Sequence, residues 1–128
     1  IPVAVCPRSN WVLGVAASPA HPPIARIIEL GGTLYLGTDN VMFVQPDMLQ
    51  EMAFTATVYR ASPEEILRAA IAGARLAGVS GYLEAGQKAR FIVVNPLKSN
   101  LSFSRDIRAT IVKRLDSSSI GQNILTLQ

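Results

Sequence analysis

Two clusters of polar side chains each come directly after a short apolar run and could carry chemistry. Their members are Arg8, Ser9 and Asn10, which follow residues 2–6, and Thr38, Asp39 and Asn40, which follow residues 33–36. In parallel sheets and βα barrels, binding and catalytic residues lie at the carboxyl ends of the strands. A carboxylate surrounded there by apolar chain is costly unless it is paired or binds a metal. Asp39 is therefore a metal ligand or a turn cap, and spacing alone favours neither.

Other reactive residues give weaker indications. Cys6 is the single cysteine and is more typical of a small buried hydrophobe than of a nucleophile. His21 lies between an alanine and two prolines, which favours an exposed loop residue over a ligand. The sequence has no glycine-rich phosphate loop, paired cysteines, His-x-His motif or serine nucleophile elbow, which argues against the classes of site that use them.

Composition narrows the class of protein. The 128 residues fit one domain, with 49% hydrophobic and only 16% charged side chains. This apolar excess predicts strands buried on both faces or a surface covered by further chain. No apolar run approaches the length of about 18 residues that a membrane span needs. Residues 86–128 carry a net charge of +5 against −2 for residues 1–85, and we interpret them as a solvated face, with no nucleic-acid partner.

The elements that must position the two clusters alternate between strands and helices. Apolar runs without polar alternation predict buried strands at residues 2–6 and 33–36. Pro22 and Pro23 open a helix between them, after a loop over residues 11–21. Asp47 predicts the cap of a helix over residues 48–60. A capping box at Ser62 begins another helix that runs towards Gly78. The order predicts an α/β protein with βα units on a parallel sheet.

The remainder of the chain has a different pattern. Residues 91–94 predict a strand, residues 108–115 a second and residues 124–127 a short third. We therefore predict a boundary near residue 80, with βα units over residues 1–80 and β-strands packed beside them over residues 81–128.

The ordered motifs are similar to the amidohydrolase superfamily, in its chlorohydrolase and aminohydrolase branch, which includes guanine, S-adenosylhomocysteine and methylthioadenosine deaminases. The matching stretches are Val5-Cys6-Pro7-Arg8-Ser9-Asn10, Leu13-Gly14, Gly37-Thr38-Asp39-Asn40, Asp47-Met48, residues 72–78 and residues 86–94. The resemblance implies the C-terminal part of a (β/α)8 TIM-type barrel, its last two βα units, together with strands of a small β-sandwich. The chain begins within a strand-like run without Met, which we interpret as a fragment.

The resemblance also implies roles for individual residues. Asp39 matches the aspartate that binds the metal and shuttles a proton from the activated water. The metal is Zn²⁺, with Fe²⁺ as the alternative. Arg8, Ser9, Asn10 and Asn40 match segments that shape the substrate pocket. The family's first-strand His-x-His and its fifth- and sixth-strand histidines are not in this chain, so the other metal ligands lie outside it and the fragment alone is expected to be inactive.

Two further residues depart from the family pattern. Val5 stands where the family often has histidine, and Arg90 stands where its return strand has aspartate.

Two functions remain open. The first is an enzyme, cytoplasmic as the unpaired cysteine allows, that hydrolyses C–N bonds of a small molecule such as a nitrogen heterocycle. The second is a non-catalytic binding or assembly module derived from the barrel. Strand edges left without neighbours predict self-association, so we expect a homo-oligomer.

Overall fold

The computed structural model describes residues 1–125, and the side chains of residues 1–121. In chain order the elements are β1 (Pro2–Val5), α1 (Pro7–Val12), α2 (Ile24–Glu29), β2 (Thr33–Leu36), α3 (Met48–Val58), α4 (Pro63–Ala72), β3 (Arg90–Val94), α5 (Ile107–Arg114) and β4 (Ile120–Leu125). Short 3-10 helices span Gly73–Ala77, Asn100–Phe103 and Ser117–Ser119. The described chain is therefore α/β, as predicted.

The strands form two separate two-stranded sheets. Strands β1 and β2 are parallel and in register, with Val5 opposite Leu36. Strands β3 and β4 are antiparallel, with an irregularity between Val93 and Val94. The prediction that the first two strands are buried on both faces is wrong for the described chain. Val5, Leu34 and Leu36 are buried and Val3 and Tyr35 are partly buried, while Ala4 and Thr33 are exposed.

The caps predicted for α3 and α4 are present. The Asp47 carboxylate accepts hydrogen bonds from the backbone N–H groups of Leu49 and Gln50, at 2.9 and 3.3 Å. Ser62 and Glu65 form the reciprocal capping box that begins α4. These bonds satisfy N–H groups that have no partner within the helix, which is why the two helices begin where they do. Gly78 closes the 3-10 turn after α4 with a left-handed backbone, at φ 70°.

Helix α5 replaces the strand predicted over residues 108–115. The β-branched run from Thr110 to Val112 favours a strand, but Asp106 caps a helix by accepting a hydrogen bond from Ala109 N–H at 3.0 Å. The helix packs against α3 and α4, where Val112 and Leu115 are buried in the core. Tertiary packing thus overrides the local preference of the β-branched residues.

Two other boundaries differ from prediction. Residues 7–12 form helix α1, so Arg8, Ser9 and Asn10 lie on a helix rather than in a loop. Pro7 occupies its first turn, where a proline costs no hydrogen bond. Strand β4 begins at Ile120, earlier than the predicted strand over residues 124–127, whose last two residues lie outside the described chain.

A single buried cluster joins elements from the whole described chain. Its members are Val5, Ile24, Leu34, Leu36, Leu49, Met52, Ala56, Tyr59, Ile66, Ala69, Val112 and Leu115. The parallel sheet is thereby held against α3 and α4, which fixes the edge where β1 and β2 end. The boundary near residue 80 stays a prediction. Among the described residues, no helix has the length and hydrophobicity to span a membrane.

Candidate active site

The carboxyl ends of β1 and β2 lie side by side. Gly37 N–H donates to the carbonyl of Val5 at 2.9 Å, so the parallel pairing continues to the last residue before the second polar cluster. A Cβ at Gly37 would lie 3.2 Å from Cys6 Sγ, closer than most such contacts, which suits a glycine there. The chain then turns at Asp39, whose φ of 61° lies in the left-handed region that aspartate tolerates better than most residues.

Ser9 and Asp39 are brought together at this edge. The Ser9 hydroxyl donates to Asp39 Oδ2 at 2.8 Å, across 30 residues of sequence. Ser9 is fully buried, whereas Asp39 is exposed. Within residues 1–125, no hydrogen-bond donor reaches Asp39 Oδ1. One carboxylate oxygen is therefore held by the protein and the other is left open towards solvent.

Arg8 contacts Glu51 of α3 and the segment that precedes this helix. Its backbone N–H donates to Glu51 Oε1 at 2.8 Å, and its Nη1 donates to the carbonyl of Gln45 at 3.1 Å. The same Nη1 lies 3.8 Å from Glu51 Oε2, as an ion pair without a hydrogen bond. These contacts brace α1 against α3. Substrate contact by Arg8 stays a prediction.

The two asparagines have local roles in the described structure. Asn40 Oδ1 accepts a hydrogen bond from Met42 N–H at 2.9 Å, which closes a turn after Asp39. The Asn10 carbonyl accepts from Ala16 N–H at 3.0 Å and secures the segment after α1. Neither contact tests their predicted roles at the substrate. His21 is an exposed loop residue, as expected, and its carbonyl accepts from the Tyr59 hydroxyl at 3.0 Å.

Cys6 lies next to the same edge but is held in its neutral form. Desolvation raises the pKa of its thiol, and the negative charges of Asp39 and Glu51 raise it further. A hydrogen bond from the Asp39 backbone opposes this shift without reversing it. Since the thiolate is the nucleophilic form, this environment supports the interpretation of Cys6 as a small packing residue.

Glu51 is the residue of this region that sequence reasoning missed. Its side chain is fully buried within α3. Desolvation raises its pKa, while the Arg8 N–H and the Arg8 charge oppose that rise. The available signal was its position four residues before Thr55 and eight before Tyr59, on the face of α3 that is buried. An acidic residue in the first turn of a helix more often interacts with the helix dipole at the surface.

The described residues can supply part of a metal site. Among residues 1–125, no group of three histidine, cysteine, aspartate or glutamate side chains could hold an ion. The exposed Asp39 carboxylate at the carboxyl edge of the parallel strands is a ligand type that zinc accepts alongside histidine. A catalytic zinc normally has three protein ligands, so the described chain fits one ligand position of such a site.

Comparison with known proteins gives a consistent family. The model of the amidohydrolase family matches residues 1–116. A putative aminohydrolase of Methanothermobacter thermautotrophicus is 40% identical over 124 residues, which cover 92% of this chain and 30% of that protein. An uncharacterized protein of Methanocaldococcus jannaschii is 32% identical over 125 residues, covering 94% of this chain and 31% of that protein. The chain thus spans a little under a third of these relatives, and no solved structure matches it.

Proposed function

The chain belongs to the amidohydrolase family, and we propose that it is the part of a metal-dependent hydrolase that contributes Asp39 to the active site. In this proposal the enzyme hydrolyses a C–N bond of a small molecule, and the chain supplies the last two βα units of a barrel. The observation that carries the proposal is the hydrogen bond from buried Ser9 to Asp39 Oδ2, which holds an exposed carboxylate at the carboxyl edge of a parallel sheet.

The metal supplies the activation of water. A divalent ion, Zn²⁺ in our proposal and Fe²⁺ in the alternative, would lower the pKa of bound water to about 7, far below that of bulk water. The remaining ligands would come from outside this chain.

The chain's own residues have defined tasks in this scheme. The Asp39 carboxylate would provide one ligand oxygen and accept the proton of the attacking water, while its Oδ2 also accepts from Ser9. Ser9 would fix the direction of the carboxylate, because ligating carboxylates depend on outer hydrogen bonds for their orientation. Asp39 would then pass the proton to the leaving nitrogen. Asn10, Asn40 and Arg8 would shape the pocket around it.

Exposed apolar side chains in the segments that follow β1 and β2 support an organic substrate. They are Val12, Leu13, Val15, Val41, Met42 and Phe43. Pockets for small molecules are lined mainly by such groups, with a few polar residues that fix orientation. A nitrogen heterocycle with an exocyclic amino group combines an apolar ring with a cleavable C–N bond. We therefore propose a substrate of this class.

A non-catalytic binding or assembly module is the second candidate. It is favoured by the absence, among residues 1–125, of any group of three side chains that could hold an ion, and by the exposed Ala4 and Thr33 of the β1–β2 pair. A face and strand edges left without neighbours would pair with other chains. This candidate predicts a stable homo-oligomer that keeps its assembly after treatment with a chelator.

The test uses the complete protein that carries this chain. Ammonia release is measured over a panel of aminopurines and aminopyrimidines, before and after chelation and after Zn²⁺ is restored. An Asp39→Asn change should lower kcat by at least about 100-fold, as expected for loss of a general acid–base group. Asp106→Asn is the matched control, since asparagine caps a helix about as well as aspartate. Full turnover in the Asp39 variant, or in the chelated protein, would contradict the proposal.

A further inference from the structure

Glu51 carries a buried carboxylate, and its partners in the described structure offset only part of the free-energy cost of burying the charge. It is fully buried, and its Oε2 has no hydrogen bond in the described structure. Burial of an ion is costly even after the surroundings relax, and one ion-pair partner at 3.8 Å recovers only part of that cost. Asp47 already caps α3, so Glu51 is not needed as the cap of its own helix. The contacts that Glu51 makes outside α3 are a hydrogen bond and an ion pair, both with Arg8, and they indicate what the buried carboxylate does.

Both contacts are with the first turn of α1, which lacks a cap of its own. Cys6 stands at the N-cap and makes no side-chain hydrogen bond to the helix. Pro7 has no N–H, so Arg8 carries the first backbone N–H of α1 without an intrahelical partner. Glu51 Oε1 accepts this N–H at 2.8 Å. A carboxylate from 43 residues away thus replaces the missing cap and also favours the positive end of the helix dipole.

The next residue of α1 makes the contact with Asp39. Ser9 Oγ donates to Asp39 Oδ2 at 2.8 Å. Two successive residues of one short helix therefore bind two carboxylates, one buried and one exposed. Helix α1 is only six residues long, so these two bonds, together with the edge-to-face contact of Trp11 with Phe54, help to set its rotation about its own axis. A shift of the Arg8 backbone away from Glu51 would carry the Ser9 hydroxyl with it.

We propose that Glu51 is a positioning residue for the active site, which fixes the direction of the Asp39 carboxylate through Arg8, Ser9 and the orientation of α1. This inference rests on the proposed role of Asp39. Glu51 does not touch the substrate or the metal in this scheme. It acts on the orientation of the Asp39 carboxylate, which provides the ligand oxygen.

The test uses two variants of Glu51 in the complete protein. Glu51→Gln keeps the length of the side chain and a carbonyl oxygen that can accept from Arg8 N–H. Glu51→Asp keeps the charge but withdraws it by one methylene. Thr55→Ala is the control, since Thr55 is buried one turn further along α3 and its hydroxyl donates only to the Glu51 carbonyl.

Two readouts separate positioning from a general loss of stability. The first is the Zn²⁺ dissociation constant, measured by competition with a chromogenic chelator at matched folded fraction. The second is hydrogen exchange in the peptide covering residues 7–12, which needs no metal. Glu51→Asp should weaken Zn²⁺ binding by up to about 10-fold, the lower end of the effect of losing a direct outer-sphere partner such as Ser9, and speed exchange in that peptide. Glu51→Gln should stay nearer the unmodified protein in both, and Thr55→Ala should leave the Zn²⁺ affinity unchanged.

The outcomes distinguish this inference from the proposed function. An unmodified protein that binds no divalent ion overturns the proposed function and this inference with it. If the unmodified protein binds Zn²⁺ and Glu51→Asp binds it equally tightly, only the role of Glu51 is overturned. The same conclusion follows if Thr55→Ala weakens Zn²⁺ binding as much as Glu51→Asp.

Discussion

The two small sheets of this molecule differ in the side-chain contacts near the ends of their strands. At the carboxyl edge of the parallel pair β1–β2, side chains far apart in sequence are joined, Ser9 to Asp39 and Arg8 to Glu51. Around the antiparallel pair β3–β4, most side-chain hydrogen bonds are local, such as that from Leu97 N–H to Asn95 Oδ1, and the bond from Ser119 Oγ to the Lys98 carbonyl spans 21 residues. The antiparallel pair also leaves apolar residues of β3 about half exposed.

This difference indicates a division of tasks. A parallel pair needs a crossover connection, and the packing of helices over one face fixes where both strands end. Polar groups at that edge can then meet with little freedom, which is what a binding or catalytic site requires. The antiparallel region offers no comparable cluster among its described residues. Its main contribution is α5, which adds Val112 and Leu115 to the core beneath the parallel sheet.

The largest expected effect tests whether α5 belongs to that core. Leu115→Ala should lower the free energy of unfolding by about 2–5 kcal/mol, because it empties a buried leucine site. Ile107→Ala, on the same helix but 62% exposed, should change it by less than about 0.5 kcal/mol. Denaturant unfolding of the two variants checks the contrast. Equal effects would mean that α5 does not pack as the structure shows.

A smaller effect compares one serine from each region. Ser9→Ala removes a buried donor to a carboxylate, but exposed Asp39 can regain water, so we expect a loss of about 1 kcal/mol. Ser102→Ala removes an exposed hydrogen bond to the Pro96 carbonyl and should cost less than about 0.5 kcal/mol. Thermal unfolding at one pH measures both. A larger loss of unfolding free energy for Ser102→Ala than for Ser9→Ala would contradict the stronger side-chain contact proposed for the parallel-sheet region.

A pH dependence should also belong to the parallel-sheet region. Burial raises the folded-state pKa of Glu51 above its ordinary value of 4.5. Between those two values the folded state binds more protons than the unfolded state, so the stability that Glu51 contributes is complete below pH 4.5 and declines as pH rises through the folded-state pKa. The unfolding free energy of the unmodified protein, relative to Glu51→Gln, should therefore fall as pH rises from about 4.5. A difference that stays constant or grows would contradict the burial of a titrating carboxylate.

Local patterns were sufficient for much of the fold. The apolar runs predicted β1 and β2, and the side-chain chemistry of Asp47 and Ser62 predicted the starts of α3 and α4. Helix α5 was predicted as a strand, because its β-branched residues favour a strand until the packing against α3 and α4 is known. Helix α1 was missed because its first turn has no local cap and depends on Glu51 instead.

The candidate site was predictable only in part for the same reason. That polar residues after two neighbouring parallel strands lie at one edge follows from strand direction, so Ser9 and Asp39 could be expected near each other. The burial of Glu51 depends on Arg8, 43 residues earlier in the chain, and on the angle at which α1 meets α3. The residues next to Glu51 in the sequence encode neither the contact with Arg8 nor the angle between α1 and α3. The missing element was therefore a tertiary contact that no local pattern reports.

The most direct test of the central claim is the structure of the metal centre in the complete protein. Anomalous diffraction at the zinc absorption edge would locate the ion independently of activity. The account predicts an ion about 2.0–2.2 Å from an Asp39 carboxylate oxygen, with Oδ2 still bound by Ser9 and the other protein ligands from outside this chain. An ion bound elsewhere, with Asp39 out of reach, would contradict the role of this chain as the source of one ligand.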